Sequence, residues 1–196
     1  MRVNALVEGP LDEAVASRLL RAAKHELQYC WGKRGVAFVR ASVTKYASSV
    51  HSAPLLVLVD HMDTGLGCPP EVVTSWIRKR TTGLIFRVVV REIESWLMAD
   101  RRNLADFLRV PIGRIPLRPE DEVDPKKRLV AIARGSRSIT IRGKIAPRPS
   151  STAQVGPLYQ SEMQRFVQDL WDPRNVEERV APSLTRCLER LCELGA

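Results

Sequence analysis

Three apolar runs of the sequence, residues 3–7, 54–59 and 84–90, are each followed closely by acidic residues. A largely apolar run of this length is typical of a strand that is covered on both faces of a parallel sheet. Because the carboxyl ends of parallel strands meet at one edge of a sheet, acids placed there are expected to lie close together. The acids that follow the three runs are Glu8, Asp60, Asp63 and Glu94.

Grouped carboxylates of this kind predict a site for a divalent metal ion. Mg²⁺ prefers oxygen ligands, commonly one or two carboxylates together with water and substrate phosphate. We expect Glu8, Asp60 and Asp63 to be ligands for Mg²⁺ or Mn²⁺. A metal ion held there would activate water and offset the charge that develops on a phosphoryl group. A remaining acid, Glu8 or Glu94, is the candidate for proton transfer.

Other acids near these runs have alternative explanations. Asp12 lies in the first turn of a predicted helix, where an acid also stabilises the helix dipole. Glu92 and Glu94 are two positions apart, so on one helix their side chains would diverge by about 200° and could not both point inward. We therefore assign Glu94 to the site. Glu92, Asp100 and His61 are kept as reserve residues around it.

The apolar pattern places strands and helices in alternation along the first half of the chain. This alternation favours a parallel sheet whose strands are joined by right-handed crossovers. We therefore predict an α/β fold with a mainly parallel sheet of about four strands flanked by helices. The predicted strands are residues 3–7, 35–39, 54–59 and 84–90, and the predicted helices are residues 11–28, 71–79 and 92–99.

The second half of the chain is predicted to be a helical C-terminal extension, so we expect an α/β domain over residues 1–110 and the extension over 111–196. Its helices are predicted at residues 103–109, 124–133, 159–170 and 183–194. Residues 134–152 are predicted to be a mobile basic loop that contacts phosphate or is simply solvated. The candidate phosphate-binding residues are Lys33, Arg34, Arg137, Arg142, Lys144 and Arg148.

The overall charge favours an anionic partner. The chain has 196 residues and a formal net charge of +9, and nucleic acid is the commonest partner of so basic a protein. A basic protein without such a partner would have the same composition. No apolar run approaches the ~20 residues of a membrane span, and we recognise no signal peptide. The four cysteines lack the spacing of a zinc site or a disulfide framework, so we expect a cytoplasmic protein.

Several stretches resemble motifs of the Toprim superfamily. Residues 7–12 resemble the Glu-Gly-x-x-Asp motif that opens the Toprim domain of topoisomerases, primases and OLD-type nucleases. Residues 56–60 with Asp63 resemble the second, aspartate-containing motif. The blocks that are similar to an uncharacterised Toprim-related bacterial family are residues 91–100, 155–159, 171–173 and 181–186. Together these stretches extend over nearly the whole chain.

The resemblance implies a Toprim-like sheet with a Mg²⁺ site for phosphoryl transfer on nucleic acid. Under it, Glu8 is the acid/base, Asp60 and Asp63 are metal ligands, and Asp12 and Glu94 are supporting acids. It also implies an ATPase partner protein, because genes of this kind tend to lie beside ATPases in bacterial anti-phage or mobile-element islands. The second motif departs from the usual Asp-x-Asp, because two residues separate Asp60 from Asp63. We expect the added residue to turn Asp63 away from the usual geometry.

Two hypotheses of different classes follow. The first is a Mg²⁺-dependent nuclease, and the second is a catalytically degenerate Toprim module that binds nucleic acid or scaffolds an ATPase partner. A homodimer is compatible with both. We expect Glu8, Asp60 and at least one of Asp63 and Glu94 to converge at one edge of the sheet, with the loop 134–152 lying over that edge.

Overall fold

A computed structural model describes residues 1–48, 50–77 and 81–194 of the chain. The chain folds into two compact units. Unit 1 comprises Met1–Val90 and Pro182–Ala196, and unit 2 comprises Arg91–Ala181. Unit 1 is therefore assembled from two separate stretches of the chain, and unit 2 is the stretch between them.

Unit 1 contains a four-stranded sheet within the described ranges. Its strands are β1 (Arg2–Val7), β2 (Glu26–Gly32), β3 (Leu55–Asp60) and β4 (Leu84–Val89). They lie side by side in the order β2-β1-β3-β4, and each neighbouring pair is parallel. The predicted α/β fold with a parallel sheet flanked by helices is thus confirmed.

Helices connect the strands of unit 1 and also form the regular secondary structure of the described part of unit 2. The α-helices in the described ranges are α1 (Pro10–Ala22), α2 (Val36–Ala47), α3 (Pro69–Trp76), α4 (Ile93–Ala99), α5 (Arg101–Leu108), α6 (Pro125–Arg134), α7 (Ile139–Ile145), α8 (Tyr159–Asp169) and α9 (Pro182–Cys192). Lys79, the predicted end of the helix that corresponds to α3, lies outside the described residues. None of the described helices combines the length and the apolar character that a membrane span requires.

The two central strands carry the core of unit 1. Residues 3–7 of β1 and residues 55–59 of β3 are all buried, as expected for strands that helices cover on both faces. The register pairs Leu6 of β1 with Val57 of β3. Since the strands are parallel, their carboxyl ends lie at the same edge of the sheet, where the acids were predicted.

The end of α1 differs from the predicted helix over residues 11–28, which was wrong beyond Ala22. β2 begins soon afterwards at Glu26. Between the two elements Lys24 has a φ of 62°, a left-handed conformation that does not continue a helix. β2 is an edge strand whose residues are exposed or half-buried. It therefore lacks the apolar run that identified the central strands.

α2 occupies the segment in which a short strand, residues 35–39, was predicted, and that prediction was wrong. Gly35, with a φ of 79°, directly precedes the helix. Val39 and Val43 are its buried residues, and their separation by four positions is the helical spacing. The predicted strand, residues 35–39, includes Val39 but not Val43, so the helical spacing is not visible within it. Its valines and phenylalanine alone are typical of a strand.

Unit 2 is helical, and its core contains two fully buried tryptophans. Trp171 Nε1 donates a hydrogen bond to the backbone oxygen of Trp96 at 3.2 Å. The segment 134–152, which was predicted as a basic loop, contains helix α7, so the loop prediction was wrong over that helix. Ser138 begins the helix, because its Oγ accepts a hydrogen bond from the backbone N–H of Ile141 at 3.3 Å.

The two units divide at positions other than the expected boundary at residue 110. Unit 2 begins at Arg91, directly after β4, and the chain returns to unit 1 at Pro182. α9 belongs to unit 1 because it packs against β4 and α1. The backbone N–H of Val90 also donates to Ser183 Oγ at 3.4 Å. The last helix thus completes the α/β unit.

Candidate metal and acid–base site

The carboxyl ends of β1 and β3 bring Glu8 and Asp60 together. Glu8 follows β1 directly, and its Oε1 accepts a hydrogen bond from the backbone N–H of Asp60 at 2.8 Å. This contact joins residues that are 52 positions apart, and it exists because β1 and β3 are adjacent parallel strands. Glu8 is half-buried, and this hydrogen bond fixes its carboxyl group at the strand end.

Burial raises the pKa of the Glu8 carboxyl to about 8. The hydrogen bond from the Asp60 backbone lowers this pKa, whereas the negative charges of Asp12 and Asp63 and a hydrogen bond with the Asp63 carboxyl raise it. Glu8 therefore retains a proton at neutral pH. It does so within hydrogen-bonding reach of a second carboxyl group.

Asp63 returns to Glu8 through a short 3₁₀ turn, His61–Thr64, that follows β3 directly. Thr64 Oγ1 donates to the backbone oxygen of His61 at 2.7 Å, and Gly65 ends the turn with a φ of 68°. Asp63 thus lies beside Glu8, contrary to the expectation that the added residue would turn it away. His61 is half-buried, and its Nε2 has no hydrogen-bond partner in the described part of the chain.

Asp12 has both a structural contact and an electrostatic one. Its Oδ2 accepts a hydrogen bond from the backbone N–H of Gly9 at 2.7 Å, so it stabilises the turn from β1 into α1. Asp12 is buried, and its negative charge contributes to the raised pKa of Glu8. The residue therefore supports the position and the protonation of Glu8.

These carboxyl groups fit a hydrated Mg²⁺ ion. In residues 1–48, 50–77 and 81–194, no three His, Cys, Asp or Glu side chains are arranged to hold one ion. Mg²⁺ nevertheless needs only one or two protein carboxylates when water and phosphate complete its shell. Asp63 beside Glu8, with Asp60 at the adjoining strand end, is such a donor set. Carboxylate oxygens from so few residues suit an ion that keeps several of its waters.

The turn after β2 comes close to the same edge of the sheet. The backbone N–H of Lys33 donates to the backbone oxygen of Val7 at 2.9 Å. Gly32 has a φ of 98°, and a Cβ at this position would lie 2.0 Å from that oxygen. The approach therefore requires glycine. It places the start of α2 next to the strand end that carries Glu8.

The two cations of this turn, which were predicted to contact phosphate, have partners within unit 1. Lys33 Nζ pairs with Glu13 Oε2 at 3.1 Å, and this hydrogen bond raises the pKa of Lys33. The Arg34 guanidinium lies 4.7 Å from the centroid of the Phe38 ring. Both side chains are exposed, so neither contact prevents an additional interaction with phosphate.

Glu94 belongs to unit 2 and is almost completely buried there, with 1 % exposure. Tyr159 Oη donates a hydrogen bond to its Oε1 at 2.8 Å, and Lys126 Nζ lies 3.7 Å from the same oxygen. Its Oε2 has no hydrogen-bond partner among the described residues. Burial raises the pKa of Glu94 to about 7, although Lys126 and Tyr159 lower it. The approach of Glu94 to Glu8 stays a prediction.

Glu92 and Asp100 have structural contacts in unit 2. Glu92 precedes α4 in an extended conformation, so it and Glu94 are both buried and the predicted divergence on one helix was wrong. Glu92 Oε2 accepts from the backbone N–H of Lys126 at 2.9 Å. Asp100 Oδ2 accepts from Asn103 Nδ2 at 2.8 Å and from the backbone N–H of Asp172 at 2.9 Å. Asp100 thereby ties distant parts of unit 2 together.

The predicted phosphate-binding residues of unit 2 are partly engaged in the fold. Lys144 Nζ pairs with Glu162 Oε1 at 2.7 Å, and Arg142 donates to the backbone oxygen of Ser136. Arg137 and Arg148 are exposed. The position of this segment over the acids of unit 1 stays a prediction. Within unit 2, Arg137 and Arg148 are therefore the exposed candidates for phosphate contact.

A cavity of about 800 Å³ in unit 2 was not anticipated from the sequence. Three of the arginines that line it have internal partners. Arg101 donates to the backbone oxygen of Ile115 at 3.2 Å, and Arg118 and Arg179 pair with neighbouring acids. Three of the four arginines that line the cavity therefore already stabilise its own loops.

The sequence did not reveal the partners of Glu94 either, since Tyr159 is 65 positions away along the chain. The only signal was that Tyr159 ends one of the blocks 155–159 that resemble the Toprim-related family.

Comparison of the chain with protein-family models, with curated proteins and with solved structures finds no match. The fold and the geometry of the two acidic sites, around Glu8 and around Glu94, therefore rest on the contacts within this chain alone.

Proposed function

We propose that the protein is a Mg²⁺-dependent nuclease that hydrolyses phosphodiester bonds of nucleic acid. One observation carries the proposal: Glu8 contacts both the backbone N–H of Asp60 and the Asp63 carboxyl, at the edge of a parallel sheet where such sites are commonly built. The net charge of +9 supports an anionic substrate. The resemblance to Toprim nucleases supports the same reaction.

The proposed roles follow from the contacts. Asp60 and Asp63 would hold the ion, which when bound neutralises phosphoryl charge and activates water. Asp60 also fixes Glu8, because its backbone N–H donates to Oε1 and leaves the proton on Oε2. With a pKa of about 8, Glu8 can donate that proton to the oxygen that leaves phosphorus. Asp12 holds the turn that carries Glu8.

The second candidate is a non-catalytic module that binds nucleic acid or scaffolds an ATPase partner. It is favoured by the lack, within the described ranges, of a three-residue metal cage. The resemblance places such proteins in bacterial anti-phage or mobile-element systems, and both candidates belong there. The cytoplasmic location and the homodimer remain part of either proposal.

The two candidates are separated by metal binding and by cleavage. The purified chain is titrated with Mn²⁺ by electron paramagnetic resonance and is incubated with single-stranded and duplex DNA and RNA, with Mg²⁺ or with a chelator. We expect Mn²⁺ binding and metal-dependent cleavage. Glu8→Gln should reduce cleavage by about 100-fold or more, the usual cost of losing a general acid. Asp63→Asn should weaken Mn²⁺ binding about tenfold or more.

Glu26→Gln is the matched control. Glu26 is exposed and begins β2, so it lies at the opposite edge of the sheet. The same chemical change there should leave Mn²⁺ affinity and cleavage unaltered. If the wild-type chain neither binds Mn²⁺ nor cleaves any of the four substrates, the nuclease proposal fails and the scaffold remains.

A further inference from the structure

The stretch of unit 1 between Glu26 and Asp60 carries positive charge alone. The sequence between these two acids contains four Lys or Arg residues and no Asp or Glu. Two of the four, Arg40 and Lys45, are exposed on α2. A polyanion that lies along α2 therefore meets cations of this helix and no acid on it. The acids of the site lie at the neighbouring strand ends.

Aromatic rings stack at the edge of the sheet next to this helix. Tyr46 of α2 stacks on Trp31 of β2 with the ring centroids 4.7 Å apart, and Trp31 in turn stacks on Tyr29 at 6.0 Å. Tyr29 is 58 % exposed, so the stack ends on an open ring. An open aromatic ring at the end of a stack is the kind of platform on which the bases of a single strand stack.

A cavity of about 480 Å³ lies between α2 and α3, beside Asp63. Ala37, Arg40 and Ala41 of α2 line one side, and Trp76 of α3 lines another. This volume lies in the range of small-ligand sites. The alanines leave room for a flat ring, and Arg40 brings a cation suited to phosphate.

Trp76 adds an unusual feature to this cavity. Its side chain is only 5 % exposed, and its Nε1–H has no hydrogen-bond acceptor among the described residues. Buried donors are nearly always paired, so this unpaired N–H marks the Trp76 wall of the cavity as a place where a ligand acceptor would be favoured. The Arg40 guanidinium lies 5.9 Å from the centroid of the Trp76 ring, so a cation and an indole N–H occur together.

We infer that Tyr29, Arg40, Lys45 and Trp76 form a binding path for a single strand of nucleic acid, which places one unpaired nucleotide in the cavity beside Asp63. The inference rests on the proposed function and adds the strandedness of its substrate. A base that stacks on Tyr29 must have a free face, and a nucleotide in the cavity must have left its pair. In a duplex, the faces of each base are covered by stacking and its edge is engaged in pairing, so neither condition is met.

Binding is measured by fluorescence anisotropy with a labelled single strand of roughly 12 nucleotides, as DNA and as RNA, and with a duplex of the same length. A chelator is present so that cleavage does not occur. We expect the single strands to bind more tightly than the duplex. Tyr29→Ala should weaken single-strand binding by about 5- to 100-fold, the range for the loss of one stacked base, and should change duplex binding by less than about twofold.

Three further variants test the separate parts of the path. Tyr29→Phe keeps the ring and should bind as the wild type does. Trp76→Phe removes the indole N–H and should weaken single-strand binding. Arg40→Ala with Lys45→Ala should flatten the log–log salt dependence by about 1.4, because each phosphate contact on a single strand contributes about 0.7. Arg21→Ala, an exposed arginine in the last turn of α1, is the matched control.

Two outcomes overturn the inference: equal affinity for duplex and single strand, or single-strand binding that Tyr29→Ala leaves unchanged. These are distinct from failure of the proposed function. If the wild type does not cleave but its single-strand binding depends on Tyr29, the path stands and the nuclease proposal fails. If the wild type cleaves nucleic acid and Tyr29→Ala binds and cleaves normally, the nuclease proposal stands and the binding path fails.

Discussion

Replacement of the buried Glu94 by glutamine should change the pH dependence of stability in unit 2. The folded protein holds Glu94 with a pKa of about 7, whereas the ordinary value is 4.5. Between these two values the folded state retains a proton that the unfolded state has lost. Stability therefore falls as the pH rises through this window, and the cost is absent below pH 4.5 and complete above pH 7.

The size of the effect follows from the shift in pKa. At about 1.4 kcal/mol per pH unit, a rise from 4.5 to about 7 corresponds to a cost of about 3 kcal/mol. Glutamine carries no proton equilibrium, so Glu94→Gln should escape this cost. Relative to the wild type, the variant should gain up to about 3 kcal/mol in free energy of unfolding between pH 4.5 and pH 8. The contributions of groups that do not interact with Glu94 cancel in this difference, whereas those of Lys126 and Glu92, which do interact with it, enter the measured value.

The assay is urea unfolding followed by tryptophan fluorescence in a background with Trp31→Phe and Trp76→Phe. The remaining indoles, Trp96 and Trp171, are both buried in unit 2, so the signal reports that unit. A difference between Glu94→Gln and the wild type that stays constant from pH 4.5 to pH 8 would refute the reasoning.

A second acid of unit 2 supplies a control of opposite sign. Burial alone would raise the pKa of Glu162, but hydrogen bonds from Lys144 and Arg165 outweigh it and the pKa is lowered. The stabilisation that Glu162 contributes is thus present above its unfolded pKa and is lost as the pH falls through the folded value. Glu162→Gln should be destabilised near pH 7, and the deficit should shrink in acid.

Two further pairs of substitutions test the fold and the basic segment. Gly32→Ala should destabilise unit 1 by about 2–4 kcal/mol in urea unfolding, because the new Cβ would collide with the backbone oxygen of Val7. Gly35→Ala adds a Cβ that has no atom within 4 Å, so it should cost only about 1 kcal/mol. Equal losses of stability in the two variants would contradict this account. Arg148→Ala should flatten the salt dependence of duplex binding by up to about 0.9, whereas Lys144→Ala, which breaks an internal ion pair, should lower the melting temperature and leave the slope unchanged.

The strands that the sequence predicted correctly are those with a largely apolar run of residues. β1 and β3 are buried along nearly their whole length, and β4, an edge strand that is only partly buried, still carries such a run. β2, the other edge strand, has exposed residues and no such run, so the residue pattern marks no boundary between it and α1. The left-handed conformation of Lys24, which separates the two elements, is not visible in the residue type.

The acidic site was predictable to the extent that strand ends determine it. The proximity of Glu8 and Asp60 follows from two parallel neighbouring strands. The contact of Asp63 with Glu8 depends on the 3₁₀ turn that Gly65 ends. The number of residues between Asp60 and Asp63 does not predict the conformation of that turn. The contact between Glu94 and Tyr159 depends on the packing of unit 2. The sequence contains no local trace of it.

The hydrogen bond between Val90 and Ser183 places the two points where the chain leaves and re-enters unit 1 next to each other. Unit 2 is thus an insertion whose ends meet, the arrangement in which one domain interrupts another without interrupting its sheet. Excision of residues 91–181 and closure with a short glycine-rich turn would keep all the described strands of the sheet as well as α1, α2, α3 and α9. The loss of residues 91–181 would thus leave Glu8, Asp60 and Asp63 at the strand ends of the host sheet.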